Sequence, residues 1–156
     1  MTKQIPLSRD KFVVVDDDVY EWASQYKWYA HRSGNTFYAC RKGGVWPFRK
    51  AIYLHREIMQ APSNVMVDHT NNNGLDCRRA NMRLCTQTEN NRNASRRTDN
   101  TSGYRGVDLH RGKWRARIKF DGKQVSLGGY DTPEAAAVAY DAAAKRHYGE
   151  FAKTNF

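Results

Sequence analysis

The sequence predicts an α+β protein built from two small units. A strand–loop–strand–helix unit comes first, and a three-stranded antiparallel sheet packed on one helix follows. Three observations predict this. Val65-Met66-Val67 and Met82–Cys85 read as short strands around an Asn-rich loop, with the helix signal Thr86-x-x-Glu89 directly behind the second. Residues 113–120 alternate strictly between apolar and basic side chains and run into Asp121-Gly122, a strong two-residue hairpin turn. Thr132-Pro133 then opens an Ala-rich stretch that stops at Gly149, as a capped helix would.

The elements follow in chain order. Phe12–Val15 is expected as a strand, and Asp16-Asp17-Asp18 can open a short helix carrying Val19, Tyr20, Trp22 and Ala23. Trp28–Ala30 and Thr36–Ala39 read as strands about a Ser33-Gly34-Asn35 turn. After the Asn-rich unit, residues 94–103 have no apolar pattern and read as a basic linker. Tyr104–Val107, Lys113–Phe120 and Lys123–Leu127 are the three expected strands, and the last helix should reach about Tyr148. The expected division is 1–93, a linker at 94–103, and 104–156.

Composition limits the function. The 156 residues carry a net charge of +10, with four Trp and nine Tyr, and the pI is about 9.7. Such a balance points to a polyanionic partner, nucleic acid first, although a solubilising charge excess explains it equally well. No apolar run approaches a membrane span, and the first residues have no signal core. Cys40, Cys77 and Cys85 are odd in number and lack a Cys-x-x-Cys pair, which argues against a disulfide framework and a zinc ribbon. A reducing cytoplasm is the expected location, with no membrane association.

The first unit holds a set of residues suited to phosphodiester hydrolysis. Val65–Val67 should deliver Asp68 and His69 at the end of a strand, and the capping box should place Asn90 and Asn93 on one helix face. Asp68, His69 and Asn90 are expected to face one another. A carboxylate and an amide oxygen are hard ligands that suit Mg²⁺ or Mn²⁺, and neutral His69 can take a proton from water near pH 7. His55 and Arg56 can meet a phosphate, but His55 can equally brace the core. Asn71–Asn73 read as a turn, and Cys77 and Cys85 as packed thiols.

Leu54-His55-Arg56, Val67-Asp68-His69, Leu75-Asp76, Arg78-Arg79, Asn81-Met82-Arg83-Leu84, Thr86 and Asn90-x-x-Asn93 resemble phage HNH homing-type endonucleases of the ββα-metal class. The resemblance implies that His69 is the general base, that Asp68 and Asn90 hold the metal, and that Asn81 braces the loop carrying the histidine. Asn90 stands where many members have His, and Cys77 where Asn is usual.

In the second unit Trp114, Ala116, Ile118 and Phe120 should point to one side of the sheet, joined by Val125 and Leu127. Arg115, Arg117 and Lys119 take the other side with Gln124 and Ser126. Such a face can enter a major groove, with Arg reaching guanine edges and Lys the phosphates, though a solvated basic face has the same pattern. Ser102–Val107, Trp114–Ile118, Leu127-Gly128, Ala135–Asp141 and Asn155-Phe156 resemble the AP2 domain of plant transcription factors and phage nucleases. That resemblance puts Arg105, Arg117, Lys119, Gln124 and Ser126 at DNA-facing positions. It gives no target, because Arg117 and Ser126 replace the Glu and Trp usual in plant domains.

The expected protein is therefore a metal-dependent DNA endonuclease with an AP2-like domain, using Mg²⁺ or Mn²⁺ and no structural zinc. Its expected partner is double-stranded DNA, met as a monomer or weak dimer in the cytoplasm, a host's cytoplasm if phage-encoded. The alternatives are a DNA-binding regulator with a silent nuclease fold and an RNA-binding protein.

Overall fold

The structure is a computed structural model that describes residues 1–45, 47–93 and 100–156. It divides into two compact units, Met1–Asn90 and Asn91–Phe156.

The first unit opens on β1 (Thr2–Pro6) paired antiparallel with β2 (Phe12–Asp16). Val13 and Val15 alternate into the core while Phe12 faces outward. Helix α1 (Asp17–Ala23) follows, with Asp17 and Asp18 in its first turn, where the helix dipole favours negative charge. Strands β3 (Tyr29–Ser33), β4 (Thr36–Gly43) and β5 (Lys50–Tyr53) form an antiparallel sheet in that order. Helix α2 (Leu54–Ile58) follows directly and buries Leu54, His55 and Ile58. Strands β6 (Met66–His69) and β7 (Met82–Cys85) pair antiparallel, and α3 (Gln87–Asn93) completes the ββα arrangement of the HNH fold. Ile5, Val13, Val15, Val19, Leu54, Cys77 and Met82 meet in one core cluster. Elements β1, β5 and α2 were not expected; each is short, and lacks the length over which periodicity becomes readable.

The second unit is a three-stranded sheet on one helix, the AP2-like fold. Its strands are β8 (Val107–His110), β9 (Lys113–Phe120) and β10 (Lys123–Tyr130), with β9 central. Both hairpins turn on two residues with positive φ, Arg111-Gly112 and Asp121-Gly122, the geometry that matches strand twist. The first strand thus starts at Val107, where the expected one ended. The Arg111-Gly112 turn sets the register, pairing His110 with Lys113 and leaving 104–106 outside the ladder. Helix α4 (Pro133–Tyr148) begins as expected, with the Thr132 hydroxyl accepting from the Ala135 N–H at 3.2 Å. Its alanines let Ala136, Ala137 and Ala144 lie against Ala116 and Ile118. Leu127 packs there too, but Val125 remains 44% exposed, because β10 is an edge strand and Val125 sits near its hairpin end.

Of the expected linker, residues 94–99 lie outside the described residues. Ser102 is tied down, its hydroxyl donating to the Val107 carbonyl at 2.8 Å. No described helix is long and apolar enough to cross a membrane.

Candidate functional site

The loop between β6 and β7 hangs on β2. Val14 N–H donates to the Leu75 carbonyl and Cys77 N–H to the Val14 carbonyl, both at 2.8 Å. The Asp triplet, expected only to open a helix, does more. The Asp16 carboxylate accepts from the Arg79 N–H at 2.9 Å, and Asp18 from its guanidinium at 2.9 Å. These bonds fix the one-turn 3₁₀ helix Arg79–Asn81 that leads into β7. The loop also presses on β4: a Cβ at Gly74 would lie 2.5 Å from the Phe37 carbonyl and 2.7 Å from the Tyr38 ring, so only glycine fits without displacement.

Asn81 is buried and laces this loop from inside. Its Oδ1 accepts from the Thr70 hydroxyl at 2.8 Å and the Asn71 N–H at 3.2 Å. Its Nδ2 donates to Asn71 Oδ1 at 3.0 Å and to the Asp76 carbonyl at 2.8 Å. Asn71 and Asn73 each accept from an N–H two residues on, and Asn72 sits at φ 60°. These are Asx turns, so the asparagines shape the backbone. The Arg78 guanidinium grips Asp76 with two bonds of 2.6 Å and holds its carboxyl below the usual carboxylate range.

Asp68 and His69 follow one another in β6 and are 4% and 5% exposed. Alternation sends them to opposite sides of the strand. Asp68 lies across from Arg83, whose Nε and Nη2 both donate to its Oδ2, at 2.9 and 2.8 Å. His69 lies among Tyr38, His55 and Cys77, with ring centroids 5.9 Å from Tyr38 and 5.3 Å from His55, and Cys77 Sγ 3.9 Å from its Nε2. Burial lowers the His69 pKa, with Asp68 and Asp76 pulling the other way. Asn90 stands on α3, one turn after a complete capping box. Thr86 N–H donates to Glu89 at 2.7 Å and Glu89 N–H to the Thr86 hydroxyl at 3.2 Å. Burial raises the pKa of the Cys85 thiol, the Asp68 charge adds to this, and the Asn90 N–H opposes it. The three expected residues thus occupy two faces of a strand and one helix, not a single face.

Arg56 closes a loop of its own unit, its guanidinium donating to the carbonyls of Val65 (2.8 Å), Ala61 (3.2 Å) and Pro62 (2.6 Å). His55 is 8% exposed and a core residue, and its Nδ1 has no hydrogen-bond partner among the described residues. The sequence leaves His55 open between a phosphate contact and a core brace, and the fold puts it in the core. Burial, then the charges of His69 and Arg56, lower its pKa to about 3. The unfolded chain therefore binds a proton below about pH 6.5 that the folded chain refuses until near pH 3. Stability falls as the pH drops through that window. Urea unfolding should show the wild type losing roughly 2–3 kcal/mol more than His55→Phe between pH 7.5 and 4.5. Equal losses would place the acid sensitivity elsewhere.

In the second unit the face opposite α4 carries a cross-strand grid. Ser126 pairs with Arg117, Gln124 with Lys119, and Asp108 with Arg115. Lys119, Gln124 and Ser126 are exposed. Arg115 forks onto Asp108 at 2.7 and 3.3 Å, and Arg117 Nε reaches Asp108 Oδ1 at 3.1 Å. Burial pushes the Tyr140 hydroxyl up to about 12, and the Arg105 side chain bonds to it. Asn155 brackets the Arg105 backbone and is held by the buried Asp141, a clamp the sequence did not reveal.

Among the described residues no group of three or more His, Cys, Asp or Glu side chains could hold a metal ion. Asp68 and Asn90 carry oxygen donors of the kind Mg²⁺ accepts, and the Asp68 carboxylate is already held through Oδ2 by Arg83.

An HNH endonuclease family model matches residues 60–92, and an AP2 domain model matches residues 102–150. The chain is 28% identical to an uncharacterized HNH endonuclease of Acanthamoeba polyphaga mimivirus, across 98% of this chain and 89% of that protein. It is 52% identical to an AP2-like ethylene-responsive transcription factor of Arabidopsis thaliana over 36% of this chain, and spans 12% of that protein. An APETALA2-like protein of Oryza sativa is likewise 52% identical over 36% of this chain, which spans 13% of it. The similarity therefore changes character along the chain, as the fold does: this is a two-domain protein with an HNH-like nuclease domain and an AP2-like domain.

Proposed function

We propose that the chain is a metal-dependent DNA endonuclease of phage homing type that nicks duplex DNA at chosen sites, its AP2-like domain supplying much of the affinity. The observation that carries this is the loop laced by Asn81, which fixes the end of β6 where Asp68 and His69 stand. Buried His69 is neutral at pH 7 and able to accept the proton of an attacking water. The new P–O bond forms as the bond to the leaving oxygen breaks. Asp68 and Asn90 would hold a Mg²⁺ or Mn²⁺ ion, which when bound offsets charge on the scissile phosphate. Arg117, Arg105, Arg115, Lys119, Gln124 and Ser126 would meet the DNA. Arg56, already engaged with three carbonyls, would act on DNA through the loop it closes.

One observation favours a second role, a DNA-binding protein with a silent nuclease fold: Asp68 and His69 are both nearly inaccessible. A supercoiled-plasmid assay separates the two. Nicking is expected with Mg²⁺ or Mn²⁺ and none with EDTA. Binding without nicking under any divalent ion would leave the silent role standing. Nicking that survives EDTA would remove the metal from the proposal.

A further inference from the structure

Strands β8, β9 and β10 contain a single acidic residue, Asp108. It stands on the face opposite α4, among Arg115, Arg117 and Lys119. A carboxylate there is unfavourable for any phosphate-binding surface, because it repels the backbone and cancels part of the positive field. Its contacts form a relay. Arg115, its register partner, grips both carboxylate oxygens with Nε and Nη2, at 3.3 and 2.7 Å, which sets the plane of the carboxylate. Asp108 Oδ1 also lies 3.1 Å from Nε of Arg117, one step along the diagonal, an ion pair at that nitrogen. An arginine held at Nε has the direction of its Nη1–Nη2 edge fixed, and that edge is the one that reads guanine O6 and N7 in a fork. Arginines left without such a hold swing among several rotamers and meet phosphates as readily as bases.

We propose that Asp108 is a specificity-determining positioning residue: pinned by Arg115, it orients Arg117 toward a guanine edge and disfavours DNA that offers only phosphates. This rests on the AP2-like domain binding duplex DNA through this face.

The test uses the full chain in EDTA, which prevents cleavage. The wild type selects a duplex from a randomised pool, and its affinity for that duplex is compared with a shuffled duplex across a salt series. Asp108→Ala and the near-isosteric Asp108→Asn should lower the selected-to-shuffled ratio by roughly tenfold, a contact-sized effect. Affinity for the shuffled duplex should hold or rise, because a negative charge has left the face. Arg117→Ala should lower the ratio in the wild type and hardly further in Asp108→Ala, since the two act as one unit. A merely structural ion pair would lower the melting temperature and leave the ratio alone; that result, or equal changes on both duplexes, overturns the proposal. A wild type that enriches no sequence overturns the underlying DNA-binding role as well. A wild type that enriches one while the variants keep its ratio overturns only the role of Asp108.

Discussion

His69→Ala is expected to slow DNA nicking by about 10²- to 10⁴-fold while leaving duplex affinity close to that of the wild type. His69 is the group beside Asp68 able to accept a proton at neutral pH, since burial holds its imidazole neutral. Affinity should persist because the arginine and lysine face belongs to the other unit. His69 is also packed among Tyr38, His55 and Cys77, so alanine leaves a cavity. His69→Asn fills more of it and still lacks the base, and should be as slow. Single-turnover nicking with thermal melts of both variants separates the effects. A folded variant that nicks at near the wild-type rate would show that another group takes the proton.

The second large effect is expected at Asn81. Asn81→Ala removes two acceptor and two donor contacts from a buried site and leaves the Asp76 carbonyl and Asn71 Oδ1 without their amide partner. The buried Asp76 carbonyl so stranded costs about 1–3 kcal/mol, Asn71 Oδ1 keeps the Asn73 N–H, and with the lost contacts to Thr70 and Asn71 a loss of about 2–4 kcal/mol is expected by urea unfolding. Asn81→Asp keeps the acceptor at Oδ1 but turns a donor into a second acceptor facing Asn71 Oδ1 and the Asp76 carbonyl. It should therefore recover little. Stability near wild type in either variant would mean that the loop is held by its ties to Val14, Asp16 and Asp18 without the asparagine. Activity should fall along with stability, because this loop fixes the end of β6.

Local chemistry made much of this molecule legible in advance. The capping box at Thr86 and Glu89, the Thr132-Pro133 helix start and the Asp121-Gly122 turn all depend on a few neighbouring residues, and each formed as its chemistry requires. Alternation along β9 fixed which side chains share a face, since a strand has only two. Other features had no local signal. Strands β1 and β5 form because partners β2 and β4 lie beside them, and four- or five-residue runs show no period on their own. Strand β8 slid three residues because Arg111 turned with Gly112, a pair that sequence propensity alone ranks low.

Asp68, His69 and Asn90 as candidate site residues, Asn81 through its resemblance to HNH endonucleases, and the order of the two units were legible in sequence alone, because motif spacing and turn chemistry are local. Their surroundings are set by tertiary structure. Asp16 and Asp18 reach Arg79 across more than sixty residues, Arg83 takes hold of Asp68, His55 turns inward against His69, and Asp108 joins Arg115 to Arg117. Each such contact depends on the distance between groups on different elements. Burial and charge then act on whatever has been brought within a few ångströms, and that is decided only once the chain has folded.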